Sequence, residues 1–144
     1  MQDRITTLEQ SLRLKELGVE QKLNKTDFFY FEESENPHIF YKEILEEWIE
    51  AVDFSDGSFS EIIRVEEVQC KAFDAAQIDD RLSLEMNDAF WLTSAKNYTN
   101  AYTYCYFNVR KNAAYKELRG EGKTHIEAKT NLLIKLLENK IIEL

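Results

Sequence analysis

The chain has 144 residues, 44% hydrophobic and 31% charged, with a net charge of −9, four glycines and one proline. That is about one domain on a prior of roughly 100–200 residues per domain, with apolar content for one core and too little Gly and Pro for a low-complexity chain. No apolar run approaches the roughly 18–20 residues of a membrane span, no basic-then-apolar leader opens the chain, and Cys70 and Cys105 stand apart, so a soluble cytoplasmic protein with reduced thiols is expected and a membrane partner is not.

Thr6-Thr7-Leu8-Glu9-Gln10 opens a first helix. Either Thr6 with Glu9 or Thr7 with Gln10 makes a capping box, and Leu8, Leu12, Leu14 and Leu17 supply an apolar face. Gly18 ends the helix as a left-handed residue just past its cap. The aromatic run Asp27-Phe28-Phe29-Tyr30-Phe31-Glu32 suits a strand, and Ser34-Glu35-Asn36-Pro37 a turn. From Tyr41 to Val52 the spacing of Ile44, Leu45, Trp48, Ile49 and Val52, with glutamates opposite, predicts a helix. Asp53 to Ser58 reads as a loop, and residues 62–70 as a poorly alternating strand. Asp74-Ala75-Ala76-Gln77 opens a short capped helix that turns Ile78, Leu82 and Met86 inward. Phe90 to Lys96 and Ala101 to Arg110 form two strands, joined as an antiparallel hairpin through Asn97-Tyr98-Thr99-Asn100. The last helix opens at Thr124, with Glu127 completing a capping box. It runs through Ile126, Leu132, Leu133, Leu136, Leu137 and Ile141 at helical spacing. The expected fold is a single α+β domain over residues 1–144, with one antiparallel sheet of three or four strands, helices on one face and a helix at each end.

The opening Thr7-Leu8-Glu9-Gln10 with Leu14-Lys15-Glu16-Leu17-Gly18 resembles the start of small uncharacterised proteins encoded by phages and prophage-like elements. The close, Glu127-Ala128-Lys129 then Leu132 to Ile142, resembles their C-terminal helix, and Ala72 to Ile78 is similar to their central short helix. Together these pieces cover about a third of the chain. The resemblance implies a small α+β accessory protein of a mobile element and carries no activity with it.

Charge is uneven: residues 32–88 hold 17 acids against four bases, and residues 89–144 hold five acids against nine bases. The acidic middle suits solvated faces, or a nucleic-acid-mimicking inhibitor surface. Gly120-Glu121-Gly122-Lys123-Thr124 lacks the earlier glycine of a phosphate loop, because Glu117 stands there, and no strand is expected to feed it. The same stretch resembles the C-terminal half of a double-stranded RNA-binding domain, where Lys123, Thr124 and Lys129 would meet phosphates. His125 and Ile126 replace that family's paired lysines, and the net charge disfavours nucleic acid. Tyr102, Tyr104 and Tyr106 alternate on one strand face, followed by Arg110, and make a candidate interaction surface. His38, His125 and the two cysteines lack metal-ligand spacing, and the adjacent pairs Glu66-Glu67 and Asp79-Asp80 point apart. No nucleophile motif is present. The expectation is a non-enzymatic interaction protein, with no cofactor or metal, that binds a protein partner or itself.

Overall fold

The computed structural model describes residues 2–58, 60–82, 85–86, 90–96, 101–108 and 113–143. Among the described residues three α-helices and nine strands make it α+β, and every strand pairing there is antiparallel. The chain folds as two compact units, Met1–Asp74 and Ala75–Leu144, each with its own sheet. The expected single small sheet is thus replaced by a five-stranded and a four-stranded one.

The first unit begins with α1 (Leu8–Glu16), capped by Thr7. Gln10 N–H donates to the Thr7 hydroxyl at 3.2 Å, and Thr7 N–H donates to the Gln10 side-chain oxygen at 3.3 Å. Gly18, with φ 89°, ends the helix in a Schellman motif: its N–H reaches Lys15 O, and that of Val19 reaches Leu14 O. The sheet follows, with β1 (Phe28–Phe31), β2 (His38–Leu45), β3 (Trp48–Asp53), β4 (Ser60–Arg64) and β5 (Val68–Ala72) in spatial order β4-β3-β2-β1-β5. One face buries Phe29, Phe31, Ile49, Ala51 and Ile63. On the other, Tyr30, Cys70 and Ala72 pack with Ile5, Leu8 and Leu12, so α1 covers the β1/β5 half. The buried Tyr30 hydroxyl donates to Thr6 O at 2.9 Å, and the nearly buried Lys71 ammonium meets Asp27 at 3.0 Å. These pairings satisfy the buried Tyr30 hydroxyl and Lys71 ammonium.

The helix expected over residues 41–52 is a β-hairpin. Leu45 pairs with Trp48 around a turn at Glu46-Glu47, and pairing continues back to His38 and Asp53. A helix would have buried Ile44 and Leu45, yet both are exposed. Ile49 and Ala51 instead point into the Phe29 core, and the β-branched and aromatic residues pair across strands. The weak strand expected over 62–70 is β4 and β5, split by a 3-10 turn at Val65–Glu67.

The second unit opens with α2 (Ala75–Asp79), which buries Ile78, and Leu82 beyond it is buried too. Its sheet runs β6 (Glu85–Met86), β7 (Phe90–Lys96), β8 (Tyr102–Asn108) and β9 (Ala113–Gly122) in spatial order. The expected β7–β8 pairing is present, from Phe90↔Asn108 to Lys96↔Tyr102, while its connector 97–100 lies outside the described residues. β9 was not expected, because Ala, Lys, Glu and Gly form strands poorly. The last helix, α3 (His125–Glu138), packs on β9. Thr124 caps it by accepting from Glu127 N–H, but the Glu127 carboxylate accepts from Lys123 N–H, one residue before the capping-box position. Leu132, Leu133 and Leu136 are fully buried. The helix stops before Ile141, which is exposed; Lys140, at φ 53°, takes the left-handed position usually given to glycine.

Candidate functional site

Gly120 and Gly122 lie two residues apart on β9, opposite Tyr104 and Tyr102 of β8. A Cβ on Gly120 would stand 2.7 Å from Leu132 Cα, and one on Gly122 would stand 2.6 Å from Ala128 N. The α3 backbone therefore rests directly on the two glycines, and the tyrosines line the same face. The Tyr102 ring lies 3.9 Å from the His125 ring, and the Tyr104 hydroxyl shares a hydrogen with His125 Nδ1 at 2.7 Å. Lys129 stands 5.3 Å above the Tyr104 ring and forms an ion pair with Asp79 at 2.9 Å. Tyr106 is 1% exposed, and burial pushes its phenol up to about 12. The tyrosine row thus faces α3 rather than lying on the side away from the helices. What stays open is a cleft of about 320 Å³ among Tyr104, Asp79, Leu92, Ser94 and Lys129. Arg110 lies outside the described residues.

Two of the three residues singled out for phosphate are in use within the unit. The Thr124 hydroxyl caps α3, Lys129 is held by Asp79 and Tyr104, and the Lys123 side chain is exposed. Contrary to expectation, a strand does lead into this segment, since β9 carries Gly120 and Gly122. Their open side is filled by helix backbone, so they form no phosphate cradle.

Most of the exposed large apolar side chains among the described residues lie in the first unit. Across β2, β3 and β4, Leu45 pairs with Trp48 and Trp48 with Arg64, which sets the three on one face. Ile62, two residues from Arg64, shares that face. Leu45 and Ile62 are each 62% exposed, and Ile44 and Val65 are exposed beside them. The Arg64 guanidinium lies 5.4 Å over the half-buried Trp48 ring and pairs with Glu66 at 3.2 Å. Glu47 O accepts from Val65 N–H, tying the hairpin turn to the 3-10 turn. Between them lies a cleft of about 360 Å³ lined by Glu46, Glu47, Arg64, Val65 and Glu66. The sequence signal for this surface was present in Leu45, Trp48 and Ile62, but a helical reading assigned two of them to a core.

His38 is 1% exposed beneath the edge of Phe31. Its Nδ1 lies 3.1 Å from Asn36 O, which can only accept, and its Nε2 lies 3.5 Å from a Glu61 carboxylate oxygen. That nitrogen has no hydrogen-bond partner among the described residues. Burial opposes ionisation of nearby Asp53, but the Ser55 hydroxyl and amide, with His38, hold it below the usual carboxylate range. Burial pushes the Cys70 thiol up to about 11, partly offset by Lys15. Among the described residues no cluster of three His, Cys, Asp or Glu is placed to hold a metal ion. Of the adjacent acids, Glu66 pairs with the Arg64 side chain and Glu67 accepts from the Arg64 backbone N–H.

Comparison with known proteins gives no matching family model, no matching curated protein and no matching solved structure.

Proposed function

We propose that this chain is a non-enzymatic interaction module, an accessory protein of a phage or mobile element, that docks a protein partner through the open β2–β4 face. The observation that carries the reading is the grouping of Leu45, Trp48 and Ile62 on a sheet face that α1 covers only over β1 and β5. Exposed apolar groups of this kind lose stabilisation by facing water, and a contiguous set of them marks an interface. Trp48 supplies the large aromatic anchor that dominates interface energetics. The mobile-element setting rests on the resemblance of the terminal helices.

The test is photocrosslinking in the expressing cell, with a photoreactive amino acid at position 62 or, as a control, at Ser94 of the other sheet. The expected result is one discrete adduct from position 62 that disappears in a Leu45→Ser background. Equal labelling from both positions, or no adduct from position 62, contradicts the reading.

A further inference from the structure

The partner's chemistry follows from what surrounds the apolar face. Residues 42–50 and 60–67 hold seven glutamates against two bases, Lys42 and Arg64, a local net of −5. Arg64 is already occupied by Glu66 and the Trp48 ring. Glu46 and Glu47 are exposed at the hairpin turn and have no ion-pair partner among the described residues. The cleft beside Val65 is therefore predominantly acidic, lined by Glu46, Glu47 and Glu66 with Arg64 as its base. The whole first unit repeats the bias, with 18 acids against eight bases in residues 1–74.

The shape of the face selects the occupant. Three strands at roughly 4.8 Å spacing make a strip about 10–14 Å wide, which accommodates one helix of about 10–12 Å with its side chains. α1 already lies on the β1/β5 half of the same face, so the β2–β4 half leaves one helix-wide lane beside it. Accordingly, we infer that the β2–β4 face receives a basic amphipathic helix of a partner protein. Apolar side chains of that helix cover Leu45, Trp48 and Ile62, and its lysines or arginines meet Glu46 and Glu47. A second copy of the chain fits poorly, because it would set one acidic rim against another. This inference rests on the docking reading above and adds the sign of the partner's charge.

The experiment titrates the full chain against two labelled helical peptides with identical leucine positions, one filled with lysine and the other with glutamate, read by fluorescence anisotropy. The leucine–lysine peptide is expected to bind with one-to-one stoichiometry, and to weaken about tenfold or more from low to high salt as its charges are screened. Leu45→Ser/Ile62→Ser should weaken it about tenfold or more, and Glu46→Lys/Glu47→Lys should transfer preference to the leucine–glutamate peptide. Circular dichroism verifies that each variant is folded; single substitutions at the same positions replace any double variant that is not. Equal binding of both peptides overturns the charge inference and leaves the docking reading standing. Binding of neither peptide, or leucine–lysine binding indifferent to Leu45 and Ile62, overturns both. A dimer in light scattering that excludes the peptide overturns the inference in favour of a second copy.

Discussion

Replacing Gly120 by alanine tests how α3 is seated. The added Cβ would lie 2.7 Å from Leu132 Cα, and closer still to the Leu132 nitrogen and the Ala128 oxygen. Ordinary contact begins near 3.4 Å, so at this point the helix must retreat by roughly 1 Å. The obstructing atoms are backbone and cannot rotate away. Overpacking of this kind costs about 1–3 kcal/mol, and a rigid obstacle places it at the upper end. Alanine recovers roughly 0.5–1 kcal/mol of the strand cost of glycine, leaving a net loss of about 2 kcal/mol. Gly57 is the contrasting position. Its Cβ would meet nothing within 4 Å, but its φ of 68° strains any side chain, so Gly57→Ala should cost about 1 kcal/mol from the backbone alone. Urea denaturation followed by circular dichroism measures both. A Gly120→Ala protein within about 0.5 kcal/mol of the parent would show that α3 is not seated on the glycines.

Other substitutions probe the cores and their titrating groups. Leu133→Ala removes a fully buried side chain and should cost about 2–5 kcal/mol; a thermal midpoint unchanged from the parent would contradict the packing. The Tyr30 and Tyr106 phenols are raised by burial from 10.0 to about 12, with the Cys70 thiol adding to the effect at Tyr30. Because the native state holds these protons more tightly, their contribution is complete below pH 10 and is lost between pH 10 and about 12. The loss should approach about 3 kcal/mol for each, and a urea midpoint constant from pH 8 to about 11.5 would refute it.

Local chemistry was legible wherever a short segment settles its own structure. Thr7 with Gln10, Gly18 and the cap at Thr124 were readable because capping depends on residues three or four apart. The aromatic strand β1 and the β7–β8 hairpin were readable from composition and spacing. The hairpin of β2 and β3 was not, because Ile44, Leu45, Trp48, Ile49 and Val52 fit a helical stripe as well as two strands. Long-range pairing of β2 with β1, and of β3 with β4, decides between them. β9 was hidden for a related reason. Gly120 and Gly122 weaken a strand in isolation and are required only once a helix lies across them. The candidate surface followed the same pattern: Leu45, Trp48 and Ile62 look like core residues until their strands are placed, and only then do they face solvent. The tyrosine row was legible as a row, but its face was not, since the sequence does not say which side α3 will cover.

The docking face is tested most directly by amide hydrogen exchange of the chain, free and with the leucine–lysine peptide. Peptide bound to the β2–β4 face should slow exchange across Ile44 to Trp48 and Ser60 to Arg64, leaving Tyr102 to Asn108 and α3 unchanged. Protection confined to Tyr102–Asn108 and α3, with β4 exchanging as before, would contradict the assignment and move the interaction surface to the tyrosine row.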